Sequence, residues 1–120
     1  MTDELERSLQ SLVDAGFEMA AVVAADGLVI ASAQSGAVDV ESVCAVGANG
    51  LLMLEAFVQE LGSDSPATAL LEIGDRVAMM QTVGSESLLI TLTSAGTNLG
   101  RARLMLRNRT NTIAEALTAI

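Results

Sequence analysis

The chain of 120 residues has room for one domain with a single core, and just over half of its residues are apolar, so it is not a disordered chain. It has two aromatic residues, no histidine and a net charge of −9, which exclude a base-stacking surface, a basic nucleic-acid-binding face and histidine-based catalysis or metal ligation. Its single cysteine cannot form an internal disulfide, which fits a reducing cytoplasm, and its acidic, polar N-terminus is unlike a secretory signal.

The first part of the chain predicts a helix followed by a hairpin. Leucines at helical spacing, with acidic residues near the start, predict a helix over Thr2 to Ala15 that ends at Gly16. Two short runs of Val, Ile and Ala within residues 17–33 surround Asp26-Gly27. This dipeptide is typical of a type I′ turn, in which both central residues have positive φ, so two antiparallel strands are predicted.

The remainder predicts a long helix, three strands and a last helix. Asp39 is a good N-cap for a helix that runs to about Leu61 and is ended by "GSDSP" at residues 62–66. Short turn segments then separate three strand-like runs, at residues 67–73, 76–83 and 87–94, in the spacing of an antiparallel meander. The segment 96–100 leads into a final helix with one apolar face. That face contains Leu99, Ala102, Leu106, Ile113, Leu117 and Ile120.

This order of elements predicts a single α+β domain over residues 1–120. It has a five-stranded antiparallel sheet with helices on both faces, in the order α-β-β-α-β-β-β-α. Several strands carry apolar side chains in adjacent positions, as at Val22 and Val23, so both faces of the sheet should be covered.

The middle helix carries two apolar stripes where a surface helix normally needs one. The first contains Val40, Cys44, Gly47, Leu51, Leu54, Val58 and Leu61, and the second Val43, Val46, Gly50, Met53 and Phe57. Only 13 uncharged residues separate Glu41 from Glu55, against about 20 needed to span a bilayer, so membrane insertion is not expected. One stripe can cover the sheet, and the other predicts a protein-protein surface. The alternative is a helix buried within one domain.

We therefore expect a homodimer formed through the middle helix. Its candidate interface residues are Val43, Val46, Gly47, Gly50, Leu51, Met53, Leu54 and Phe57. The second stripe is favoured as the contact, although the pattern leaves open which stripe faces the second subunit. A polar arc with Ser42, Asn49 and Gln59 argues against burial on all sides.

The chain resembles the roadblock/dynein-light-chain family, including its bacterial MglB-like members. The likeness rests on "VVAADGLVIASA" after an amphipathic helix, a Gly/Ala-rich second helix, and "LLITLTSAGTNLG" before the last helix. The resemblance implies a sheet with the middle helix on one face and the terminal helices on the other. It also implies homodimers that use the middle helices and the following edge strand, here with Thr68, Leu70 and Glu72. The resemblance implies that such dimers are platforms for Ras-like small GTPases (MglA-like in prokaryotes) and that some of them activate the GTPase. We therefore expect a non-enzymatic scaffold that binds such a GTPase, and the sequence leaves open whether it changes GTP hydrolysis. No cofactor is expected.

Other candidate sites are weaker. Cys44 lies on the apolar helix, where a structural thiol is expected. The segment 96–100 lacks the Gly-Lys-Ser/Thr ending of a phosphate-binding loop, and the carboxylates are scattered without a metal-binding pattern. A second functional hypothesis is a small-molecule sensor with Gln81 and Thr91 as polar groups. The group Arg101, Arg103, Arg107 and Arg109 is either an ordinary solvated surface or a contact for an acidic partner or a second copy.

Overall fold

The computed structural model describes residues 2–64, 67–84, 86–94, 96 and 98–118. Every predicted element is present in the predicted order, which confirms the α+β class. Among the residues used in the predictions above, Ser65, Pro66, Ala95, Thr97 and Ile120 lie outside the described residues. The elements are α1 (Thr2–Asp14), β1 (Met19–Ala24), β2 (Val29–Gln34), α2 (Val40–Leu61), β3 (Thr68–Ile73), β4 (Arg76–Val83), β5 (Ser87–Ser94) and α3 (Leu99–Thr118).

The five strands form one antiparallel sheet in the order β2-β1-β5-β4-β3, so β2 and β3 are its edges. Helix α2 covers one face, where Cys44, Leu51 and Leu54 pack with strand residues such as Leu88 and Ile90. Helices α1 and α3 cover the other face with a second apolar cluster. The prediction that both faces are covered is confirmed for the central strands.

The β1–β2 turn differs from the predicted type I′ turn. Gly27 has a φ of +90°, but no non-glycine residue of the described chain has a positive φ, so Asp26 does not. The Asp26 side chain instead accepts a hydrogen bond from the backbone N–H of Leu28 at 3.0 Å. The N–H of Gly27 donates to the carbonyl of Ala24 at 2.9 Å. An aspartate that bonds the backbone two residues on forms its own tight turn, so a single left-handed glycine is enough.

Helix α2 begins and ends as its sequence predicts. Asp39 accepts hydrogen bonds from the backbone N–H of Ser42 at 3.2 Å and from its hydroxyl at 2.8 Å. These bonds favour the charged carboxylate and lower the pKa of Asp39. Gly62, with a φ of 63°, closes the helix. Within the described residues α2 is the one helix long and apolar enough to cross a membrane, but its inner face is packed on the sheet.

Helix α3 is fixed to the sheet at two points. At its start, the Asn98 side chain accepts a hydrogen bond from the backbone N–H of Arg101 at 3.1 Å and acts as an N-cap. Farther along, the amide of Gln81 on β4 donates to the hydroxyl of Thr110 at 2.8 Å. The sequence analysis assigns no N-cap to this helix, and the structure identifies Asn98 in that role.

Candidate protein-protein interface

Two glycines of α2 allow the helix to approach its own sheet closely. A Cβ added at Gly47 would overlap Cδ1 of Ile90 on β5. A Cβ added at Gly50 would lie 3.0 Å from the sulfur of Met80 on β4, which is also too close. Both positions therefore face the sheet of the same chain, although both are among the predicted dimer-interface residues.

The other predicted interface residues of α2 divide into an inner and an outer set. Leu51 and Leu54 are 1% and 5% exposed, and Val43 is half-buried against the same core cluster. These three side chains are already used inside the monomer. The outer set is much more exposed, with Val46 at 73%, Met53 at 49% and Phe57 at 58%.

The direction in which the outer set faces follows from the glycine contacts. Gly47 faces Ile90 on β5, and Gly50 faces Met80 on β4, which is nearer the β3 edge. An α-helix turns by about 100° per residue. Around the helix, the direction that leads from Gly47 to Gly50 leads on to Phe57, Val46 and Met53, which lie about 20–60° beyond Gly50. The outer row of α2 therefore lies on the flank that overlooks β4 and the edge strand β3.

Strand β3 adds an uncovered apolar strip beside this row. Its pairing with β4 puts Leu71 opposite Ala78, a residue of the α2-side core, so Leu71 and Ile73 project to the face that carries α2. They are 47% and 59% exposed. The predicted edge residues Thr68, Leu70 and Glu72 alternate with them and project to the opposite face.

We define the α2/β3 surface as the exposed side chains of Val46, Met53, Phe57, Leu71 and Ile73. Ten large apolar side chains are exposed in the part of the chain that the structure describes, and these five account for half of them. Monomeric proteins rarely expose large contiguous apolar patches. The described strands also leave the outer edge of β3 unpaired, and such an edge is a template for another strand. Exposed apolar side chains beside an open strand edge are typical of a docking surface.

The other candidate sites do not form a comparable constellation. Cys44 is fully buried, and burial raises the pKa of its thiol to about 11, as expected for a structural cysteine. Gln81 is bonded to Thr110, and Thr91 is fully buried with a hydroxyl that has no partner among the described residues. A cleft of about 410 Å³ opens at one end of the sheet between α2 and α3, but neither Gln81 nor Thr91 lines it. No group of three or more acidic or cysteine side chains that could hold a metal occurs in the described residues.

The four arginines of α3 are all exposed, and they lie on the sheet face opposite α2. They are therefore separate from the α2/β3 surface.

The sheet order, with one long helix on one face and two helices on the other, defines a profilin-like α+β fold of the roadblock type. The Roadblock/LC7 domain matches residues 1–93, and the chain belongs to that family. The predicted resemblance is thus confirmed.

The chain is also similar to individual proteins, two of them of known structure. An uncharacterised protein of Methanocaldococcus jannaschii is 32% identical over 98 residues, covering 82% of this chain and 85% of that protein. Myxococcus xanthus MglB has the same fold, with a TM-score of 0.86 at 19% identity over 98% of each chain. A Roadblock/LC7 domain from Streptomyces avermitilis is 27% identical, with a TM-score of 0.69 over 91% of this chain and 97% of that one.

Proposed function

We propose that this protein is a homodimeric, non-enzymatic scaffold that assembles through the α2/β3 surface and binds a Ras-like small GTPase. The observation that carries the dimer is the exposed apolar row of α2 beside the open edge of β3. Membership of the Roadblock/LC7 family and the MglB-like fold support the GTPase as the partner.

A two-fold axis beside β3 would bring two copies of this surface together. Val46, Met53 and Phe57 of each chain would then cover the apolar side chains of the other chain, as in an isologous contact. The β3 strands could pair edge to edge, so Thr68, Leu70 and Glu72 would contribute backbone N–H and C=O groups rather than side chains. Gly47, Leu51 and Leu54 would remain inside each monomer.

Regulation of the GTPase would work through binding energy. A GTPase alternates between conformations of its switch segments, and a platform that binds one of them more tightly shifts the population towards it. A platform that binds both equally would recruit the GTPase without changing its conformation. The difference in affinity between the GTP-loaded and GDP-loaded forms is therefore the decisive quantity.

The test uses purified Ras-like GTPases encoded in the same genome as this protein. Binding is measured for the GTP-loaded and GDP-loaded forms, and hydrolysis is measured with and without the protein. We expect one GTPase to bind the wild-type dimer with different affinities in its two nucleotide states. If no such GTPase binds, and no hydrolysis rate changes, the proposed partner class is wrong even if the protein is a dimer.

A further inference from the structure

Helix α3 concentrates positive charge on an otherwise acidic protein. Four of the six arginines lie within residues 101–109, and no carboxylate occurs between Leu99 and Ala114. Outside residues 99–118 the chain has 14 of its 15 acidic residues but only two arginines. A solvent-exposed helix commonly has side chains of opposite charge three or four residues apart, and these pairs stabilise it. Helix α3 lacks this pattern.

The positive charges of the four α3 arginines are not neutralised within the described chain. Arg101, Arg103, Arg107 and Arg109 are exposed, and none of them forms an ion pair with a described carboxylate. By contrast, Arg76 pairs with Glu18 at 3.0 Å. Since Arg103 and Arg107 are four residues apart on one flank of the helix, they repel each other mildly. An acidic partner would relieve that repulsion.

An apolar side chain lies among these arginines. Leu104, next to Arg103 and one turn from Arg107, is 55% exposed. All six cations of the chain are arginine, which forms bidentate contacts with carboxylates and is enriched in interfaces where lysine is depleted. The combination of an exposed leucine with flanking arginines has the composition of a docking site, with an apolar centre and a charged rim.

The strip remains accessible in the dimer proposed above. Helix α3 packs on the sheet face opposite α2, so covering the α2/β3 surface leaves it free. It also lies beyond residues 1–93, the part of the chain matched to the Roadblock/LC7 domain. The matched residues therefore do not include these arginines.

We propose that the α3 strip, formed by Arg103, Leu104 and Arg107, docks an acidic segment of a partner protein. Carboxylates of the partner accept hydrogen bonds from Arg103 and Arg107, and an apolar side chain of the partner packs on Leu104. A nucleic acid is the less suitable ligand, because its dense phosphate charge meets the repulsion of a chain with a net charge of −9. A short acidic segment contacts the strip alone.

The experiment uses the full-length protein and a synthetic helical peptide with glutamates spaced four apart and leucines between them. A peptide with lysine in place of each glutamate is the ligand control. Binding is measured by fluorescence anisotropy at low and high salt, and backbone NMR shifts locate the contact. The test variant is Arg103→Gln/Arg107→Gln. The matched control, Ser32→Asp/Gln34→Glu, makes the same change in net charge at the exposed β2 edge.

We expect the acidic peptide to bind one site per chain, more weakly at high salt, with shifts centred on α3. The Arg103→Gln/Arg107→Gln variant should bind about tenfold more weakly, the typical loss for two exposed charge pairs. The Ser32→Asp/Gln34→Glu control should bind nearly as well as the wild type. Equal losses in both variants, or binding of both peptides alike, would overturn the proposal. So would a DNA duplex that binds through the same arginines more tightly than the peptide. Because the peptide is not a GTPase, a failure here is distinguishable from a failure of the proposed GTPase partner.

Discussion

Removing the Phe57 side chain should weaken the dimer without harming the fold. The ring is 58% exposed in the monomer, so most of its apolar surface is free for a partner. Full burial of a phenylalanine is worth about 1.5–3 kcal/mol, so covering the exposed part is worth about 1–1.7 kcal/mol per chain. Each substitution occurs twice in a symmetric dimer. Phe57→Ala should therefore cost about 2–3 kcal/mol per dimer and raise the dimer dissociation constant about 30- to 150-fold.

Sedimentation equilibrium of the wild type and the variant measures this constant, and Leu104→Ala is the matched control. Leu104 is 55% exposed, close to the value for Phe57, but it lies on α3 across the sheet. The control should dimerise like the wild type, and circular dichroism should show both variants folded. An unchanged dissociation constant for Phe57→Ala, or an equal loss for Leu104→Ala, would refute the assignment of the α2/β3 surface.

Three further predictions concern the core. Gly47→Ala should lower the free energy of unfolding by about 1 kcal/mol. Overpacking costs about 1–3 kcal/mol, and the higher helix propensity of alanine offsets about 1 kcal/mol of that cost. Adding Ile90→Val removes the overlapping Cδ1 and should restore the free energy of unfolding. The control Gly36→Ala, with no atom within 4 Å of its added Cβ, should leave the free energy of unfolding unchanged in the same urea titration. Burial raises the pKa of the Cys44 thiol from 9.0 to about 11. The contribution of the protonated thiol to the free energy of unfolding is therefore complete below pH 9 and is lost as the pH rises through about 11. In Cys44→Ala, the free energy of unfolding measured by denaturation at a series of pH values should lose this dependence. Thr91→Val removes a buried hydroxyl that has no described partner, and it should raise the free energy of unfolding by about 1 kcal/mol; a loss instead would mean that the hydroxyl is bonded.

The elements themselves could be predicted almost to the residue, because local signals mark their ends. Strands β4 and β5 have the predicted bounds, since Gly74 and Gly84 interrupt the apolar runs and both adopt positive φ. Asp39 and Gly62 similarly mark the two ends of α2. Signals of this kind act within a few residues, so the chain alone carries them.

The exposed apolar face of α2 could be predicted only in part. The favoured stripe contained Val46, Met53 and Phe57, which the structure exposes, but also Val43 and Gly50, which it turns towards the sheet. Glycine carries no hydrophobic signal in a helical pattern, yet it lets the helix come closer and widens the arc in contact with the sheet. The position of that arc depends on where Ile90 and Met80 lie below the helix, and only the tertiary structure determines this.

Strand β3 shows a similar limit. Its apolar residues occur in adjacent positions, as at Leu70 and Leu71, so alternation cannot say which of them lie on the α2 side. The side is set by pairing with β4, where Leu71 stands opposite Ala78. This long-range pairing puts the side chains of Leu71 and Ile73 on the α2 side, next to the exposed row of Val46, Met53 and Phe57. The predicted residues Thr68, Leu70 and Glu72 project to the other side.

The mass of the protein in solution tests the central claim most directly. Light scattering across a hundredfold range of concentration should give twice the chain mass of 12.3 kDa, with dissociation, if any, at the lowest concentrations. That result would mean that the exposed apolar row beside an open strand is an assembly surface. A mass of 12.3 kDa at every concentration would contradict the account, because the α2/β3 surface would then remain uncovered in the isolated protein.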